Sequence, residues 1–208
     1  MMKILITGFE PIRQFYDINP SWEAVKKLPD KINEVEIVKE ELPIVFDRAE
    51  QKLEELFTYH QPAAVVNVGQ SGHDRGIMIE RIGVNLDDFN VPDNAGNMRK
   101  DEKIVEDGPD AYFTTLPCRE IAEKIVAAGI PAGLSETAGT HLCNHVTYFT
   151  SHWIKMRNLN TINGFIHVPL DMSQCLTERG TDRFFMSINV IAKALEEALY
   201  VIVEKVKK

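Results

Sequence analysis

Cys143, His167 and Glu80 have the strongest claim to chemistry in this sequence, and a different argument reaches each of them. Cys143 falls near the start of a predicted helix, just after a strand and the turn Glu136-Thr137-Ala138-Gly139. Free backbone N–H groups and the positive end of the helix dipole favour a thiolate there. The same groups can donate to an oxyanion when that sulfur attacks a carbonyl. The competing reading of a lone cysteine is a small buried core residue. Cys118 is the rival nucleophile, because it too opens a predicted helix and has Arg119 beside it. Cys175 lies in a polar stretch with little to recommend it.

His167 lies in Gly164-Phe165-Ile166-His167-Val168-Pro169, a short apolar strand that ends at a proline. Open α/β sheets bind ligands outside the carboxyl ends of their strands, so a histidine there is a candidate base; a satisfied core histidine is the alternative. Glu80 is an anomaly of pattern. In the alternating segment Ile77–Leu86, Met78, Ile82, Val84 and Leu86 form an apolar face, and Glu80 occupies that same face. A carboxylate on a buried face needs a partner: an arginine such as Arg75 if its role is structural, or a catalytic imidazole to orient and charge.

The run His141-Leu142-Cys143-Asn144-His145 resembles a metal site only superficially. Residues two apart point to opposite sides of a helix, and the third ligand and glutamate of a zinc helix are missing. No metal or other cofactor is expected. His60 suits a helix C-terminus, His73 sits in a polar turn, and His152 reads as a helix-surface residue.

Short apolar runs alternate with amphipathic stretches, which predicts an α/β domain. Strands are expected at Lys3–Thr7, Glu34–Leu42, Ala63–Val68, Ile77–Leu86, Ala111–Leu116, Ile130–Leu134 and Phe165–Pro169. Helices are expected over Pro20–Leu28 (with Asn19 as cap), Val45–Tyr59, Arg119–Ala128, Thr140–Arg157 and Arg183–Lys207. Between them, Asp87–Asp110 is polar and irregular, and so long a loop usually covers a site or forms an interface. No repeat, linker or low-complexity tract divides the chain, so residues 1–208 are expected to form one domain.

The chain has 208 residues, enough to bury roughly 70% of its unfolded surface without a disulfide or metal staple. Its net charge of -8 argues against a dedicated nucleic-acid binder, which needs a basic face. No apolar run approaches the roughly 18 residues of a membrane span, and the apolar start is too short for a signal peptide. Three widely spaced cysteines make neither a disulfide framework nor a zinc knuckle, which points to the cytoplasm.

Seven motifs now fall in order: Thr7-Gly8-Phe9-Glu10-Pro11, Ile18-Asn19-Pro20-Ser21-Trp22, Val68-Gly69-Gln70, Glu80-Arg81, Pro92-Asp93-Asn94, Ser135–Thr140 with Leu142–His145, and Gly164–Pro169. Over nearly its whole length the chain resembles the pyroglutamyl peptidases (pyrrolidone-carboxylate peptidases), cysteine peptidases that remove an N-terminal pyroglutamyl residue. The resemblance implies a three-layer α/β sandwich with a mostly parallel, twisted central sheet, and catalytic roles for Glu80, Cys143 and His167. It implies a pocket in which Phe9 packs on the lactam ring beside Leu142, while Asn19 and Gln70 hold the pocket loops or the ligand. N-terminally blocked peptides are then the substrates, through a thioester acyl-enzyme, and a homodimer or homotetramer is the expected assembly. The loop 87–110 and the C-terminal helix are its plausible contact surfaces.

Three positions depart from the family pattern. Ile12-Arg13 replaces a Phe-Gly pair, so a second ring over the lactam is missing. Asn90 stands where the family has an arginine near the oxyanion site, which leaves Asn90 and the Cys143 N–H as oxyanion candidates. His141 replaces an aromatic residue two before the nucleophile. These departures keep two rivals open: a Cys-His-Glu amidase for another small acyl group, and a catalytically silent relative that binds a ligand or serves as an assembly subunit.

Overall fold

The computed structural model describes residues 2–176 and 182–207. In chain order its elements are β1 (Lys3–Phe9), α1 (Pro20–Val25), β2 (Lys31–Ile32), β3 (Val35–Leu42), α2 (Phe46–His60), β4 (Ala64–Gln70), β5 (Ile77–Glu80), β6 (Ile82–Val84), β7 (Ala111–Phe113), α3 (Cys118–Ala127), β8 (Ala132–Ser135), α4 (Leu142–Met156), β9 (Ile162–Val168), α5 (Met172–Cys175) and α6 (Ile188–Val206). Seven strands form a central sheet in the order β2-β3-β1-β4-β9-β5-β8. The pairs β1/β3, β1/β4, β4/β9 and β5/β8 are parallel; β2/β3 and β5/β9 are antiparallel.

Both faces of this sheet are covered, which is why its central strands read as continuous apolar runs rather than alternating ones. Ile4, Ile6, Val66, Val68, Ile77, Ile79 and Ile166 face one core with residues of α1, α3 and α6. Leu5, Phe9, Val65 and Phe165 face the other, with residues of α2 and α4. Side-chain alternation therefore assigns every strand position to a face, and residues 67, 69, 165 and 167 belong to the α2/α4 side. The apolar stripe of α6 (Ile191, Ala194, Leu195, Ala198, Leu199, Ile202, Val203) is buried against its own sheet. That stripe is thus unavailable as the contact surface expected of it. Among the described residues no helix is long and apolar enough to cross a membrane.

The predicted strand Ile77–Leu86 is two strands. β5 ends at Glu80, and after Arg81 the chain leaves the central sheet to pair with β7 as β6. The physical cause is α4. The Asn144 side chain accepts from Val84 N at 2.8 Å and donates to Val84 O and Leu86 O, both at 2.9 Å, acting as a substitute neighbouring strand. A Cβ on Gly83 would lie 2.9 Å from Tyr148 N, so only glycine lets β6 run this close to the helix backbone. Alternation continues through Arg81 and hides the break. The last helix also starts later than predicted, at Ile188, where the Ser187 side chain accepts from Val190 N.

Candidate active site

β5 and β9 pair antiparallel with Met78 opposite His167 and Glu80 opposite Phe165. Glu80 and His167 are therefore diagonal neighbours on one face. The imidazole Nδ1–H donates to Glu80 Oε1 at 2.7 Å. Glu80 is 1% exposed, so the partner that its burial demands is His167 rather than Arg75. With Nδ1 committed to Glu80, Nε2 is the nitrogen left to face Cys143, whose charge acts on the ring.

The thiol reaches His167 through a gap in a third strand. In the β4/β9 ladder Gly69 sits directly beside His167. A Cβ on Gly69 would lie 2.9 Å from Cys143 Sγ and 2.6 Å from Phe165 Cζ. The missing side chain is the seat of the sulfur. Cys143 itself is the second residue of α4, whose N-cap His141 makes no side-chain capping bond. The first-turn N–H groups are thus not taken by a cap and remain available to an anion.

Burial is the largest influence on the His167 pKa and pushes it down. The charge and hydrogen bond of Cys143, followed by the hydrogen bond and charge of Glu80, outweigh it and raise the value to about 10. The imidazole is therefore positive at neutral pH, between a carboxylate and a sulfur able to carry negative charge. The other two thiols lack such surroundings. Burial pushes both Cys118 and Cys175 up, and among the described residues Cys118 has Thr114 Oγ1 and carbonyl oxygens as its hydrogen-bond partners.

The expected pocket residues gather where β1 and β4 part. Their ladder ends at Thr7 and Asn67, whereas β1 runs on to Phe9 and β4 to Gln70. Phe9 and Leu142 are buried in one cluster with Phe165, and Ile12 packs on it. Asn19 is 3% exposed, and its amide is largely engaged. Its Oδ1 accepts from Ser21 N and Oγ, capping α1, and its Nδ2 donates to Glu10 O. Asn19 is thus built into the loop structure. The Gln70 Oε1 accepts from Gln174 Nε2 at 3.0 Å, so its side chain also holds neighbouring segments together. Asn90 is exposed, and its Oδ1 accepts from Lys100 Nζ. The structure gives it no contact with Cys143, His167 or Glu80, so of the expected site residues it is the one left outside.

His141 keeps the aromatic role of the residue it replaces. Its ring lies 4.0 Å from that of Phe89 and 5.7 Å from that of Phe46. Burial pushes its pKa down, and the neutral ring donates through Nε2 to Val91 O at 3.1 Å. His145 is fully buried between carboxylates, with Nδ1 2.8 Å from Asp87 and Nε2 2.8 Å from Glu50. Burial alone would lower its pKa, but Asp87 and Glu50 raise it. Arg99 joins Asp87 to Asp47 and lies over the Phe46 ring. This network pins the long loop 87–110 to α2 and α4. Asp74, Glu80 and His167 place one potential metal-ligand atom each within 4.8 Å of one another, but Nδ1 of that imidazole already serves Glu80.

Several supporting residues escape sequence reading. Gly69 reads only as the end of a strand. The Glu10 carboxylate accepts from Ile44 N and Asn94 Nδ2, and Asn94 also donates to Pro11 O, tying three loops beneath the pocket. Asp93 accepts from Ala95 N, Asn97 N and Phe46 N, which explains the Pro-Asp-Asn motif as a loop anchor. The available signal was their place in three of the seven motifs, which marks these residues without saying what they hold.

Comparison with known proteins agrees with this geometry. A family model described as pyroglutamyl peptidase matches residues 2–205. The pyrrolidone-carboxylate peptidase of Finegoldia magna is 44% identical over 98% of this chain and 94% of its own length. That of Brachyspira hyodysenteriae is 45% identical, covering 94% and 96%. The crystal structure of pyroglutamyl peptidase I from Bacillus amyloliquefaciens superposes with a TM-score of 0.91 at 39% identity, covering 96% of this chain and 94% of that one. A mutant pyrrolidone carboxyl peptidase from Pyrococcus furiosus gives a TM-score of 0.94 at 36% identity, covering 99% and 100%.

Proposed function

We propose a residue-level mechanism for this chain, which belongs to the pyroglutamyl peptidase family of cysteine peptidases and removes an N-terminal pyroglutamyl residue from peptides. Cys143 is the nucleophile, His167 the base that returns its proton, and Glu80 the carboxylate that holds the base. The observation that carries this reading is the convergence of three separate segments into one Glu80–His167–Cys143 chain over Gly69.

The acyl group enters the crevice between the carboxyl ends of β1 and β4. Its scissile carbonyl is attacked by the Cys143 sulfur while His167 carries the proton. The oxyanion forms against the first turn of α4, where the Cys143 N–H is a donor and the helix dipole favours negative charge. Charged His167 then protonates the leaving amine. A water, deprotonated by the same nitrogen, hydrolyses the thioester. Glu80 keeps the ring in one tautomer and orientation, so both transfers use Nε2.

Selectivity follows from the walls. Phe9, Ile12, Leu142 and Phe165 are apolar and suit a neutral five-membered lactam. A free α-ammonium would lose its hydration there, at a cost of several kcal/mol. Asn19 and Gln70 shape the loops around the ring rather than supplying side-chain charge. Release of a reporter amine from a pyroglutamyl amide tests the assignment. Wild type should turn over and Cys143→Ser should not. Full activity in Cys143→Ser would remove the nucleophile assignment, and no turnover in wild type would remove the mechanism.

We read residues 1–208 as one catalytic domain working in the cytoplasm, a compartment that suits its three free thiols. We read its assembled form as a homodimer or homotetramer. Exposed apolar side chains at Met172, Leu176, Phe184 and Phe185 support that assembly, and light scattering would test it.

A further inference from the structure

We propose that Gln174 is a positioning residue for the reaction, tying both lips of the substrate crevice to the strand that carries His167. This rests on the reading above, in which the acyl group lies between the carboxyl ends of β1 and β4. Gln174 is 4% exposed and belongs to α5, the short turn that follows β9. Its Oε1 accepts from Asp171 N at 2.9 Å. A backbone N–H requires an acceptor, so this bond fixes which end of the amide is oxygen. Nε2 then faces two acceptors: Ile18 O at 3.2 Å and Gln70 Oε1 at 3.0 Å. Ile18 precedes Asn19 in the loop after β1, and Gln70 follows Gly69, on which the thiol rests. One buried amide thus bridges three segments at the carboxyl ends of β1, β4 and β9.

Capping of α5 needs only the first of these bonds, and a glutamate serves a capping box equally well. The two donated bonds do nothing for α5. Their effect is to set the separation of the lips, and with it the alignment of the scissile carbonyl against Cys143. Gln174 touches neither the triad nor the reacting atoms, so its removal should alter substrate placement and leave thiol chemistry intact.

Q174E separates the roles, because it keeps the cap acceptor and loses both donations. Its kcat/KM on a pyroglutamyl reporter amide should fall roughly 10- to 100-fold, with KM rising more than kcat falls. Alkylation of Cys143 by iodoacetamide should keep the wild-type rate and pH profile. Q174M removes the donations without adding charge; it should act in the same direction and serves if Q174E does not fold. In a Q70A background, where only the bond to Ile18 O remains to be lost, Q174M should cost several-fold less than it does in the wild type. Wild-type kcat/KM in folded Q174E or Q174M would overturn the proposal. So would an equal Q174M loss with and without Gln70, or a parallel fall in alkylation rate. Failure of the wild type itself to turn over the amide would instead remove the mechanism on which the proposal rests.

Discussion

Gly69→Ala is the most direct test of how the thiol is held. The added methyl would stand 2.9 Å from Cys143 Sγ and 2.6 Å from Phe165 Cζ. To regain an ordinary 3.4 Å contact the sulfur must retreat by about 0.5 Å and the ring by about 0.8 Å, inside an interior packed as densely as a crystal. Phe165 is fully buried, with its centroid 4.8 Å from that of His167 and 6.4 Å from that of Phe9, so it cannot yield without moving the base or the pocket wall. Gly69 is not among the residues with positive φ, so the penalty is steric and owes nothing to backbone strain. Overpacking of this kind costs about 1–3 kcal/mol, and Tm should fall by roughly 2–4 °C for each of them in a chain of this size. Misplacing a reacting atom by ~1 Å costs on the order of 100-fold, so the thiol's smaller displacement should lower kcat/KM by roughly 10-fold or more. Initial rates on a pyroglutamyl reporter amide and iodoacetamide alkylation rates should fall together. Gly133→Ala is the control, since its methyl would meet only the flexible end of Met78 at 3.4 Å. A Gly69→Ala protein within twofold of wild type in both rates would refute the reasoning.

Four further outcomes follow from the titratable groups. Glu80→Gln removes a carboxylate whose bond and charge help raise His167, so the alkaline limb of kcat/KM, near pH 10 in the wild type, should move downward. The same raised pKa makes the His167 contribution to stability complete below the ordinary 6.5 and lost as pH rises through about 10. Wild-type unfolding free energy, measured by denaturant titration, should decline across that window, and Glu80→Gln should flatten the decline. His145→Ala removes one of two cations from buried Asp87 and leaves Arg99, so a loss of about 1–3 kcal/mol and a Tm lower by roughly 2–12 °C are expected by calorimetry. Cys118→Ser should keep wild-type turnover and iodoacetamide sensitivity, because burial pushes the Cys118 thiol up and no base adjoins it.

The departures from the family pattern weigh differently once the packing is known. His141 differs in identity and not in role, since its neutral ring packs against Phe89 where an aromatic residue would and adds one bond to Val91. Ile12 packs on the Phe9 cluster as an aliphatic wall, so in the proposed pocket the lactam would meet one ring face instead of two. Asn90 is exposed and paired with Lys100, which also lies 3.4 Å from Asp88. Charge lost at position 90 therefore leaves the cation at Lys100 nearby, on the loop and not in the triad.

What the sequence could and could not disclose follows from how each residue acts. Glu80, Cys143 and His167 were legible because each breaks a local rule: a carboxylate among apolar neighbours, a thiol at a helix start, a histidine in a strand that stops at proline. The α/β architecture was legible because every buried strand is a run of apolar residues between turn signals. Gly69 obeys the local rules and looks like a strand end; its role exists only because the β4/β9 register sets it beside His167 while α4 lowers a sulfur onto it. Gln174, Glu10 and Asn94 are likewise ordinary polar residues until the sheet order brings distant loops together. Glu80 does have the buried partner that its pattern demanded, for a reason only partly visible in that pattern. The apolar face that singled it out spans two strands in different sheets, and Met78 alone shares its strand and face. What makes Glu80 costly is burial on the α4 side of the central sheet, and there the imidazole that offsets that cost is also the one we propose as the base.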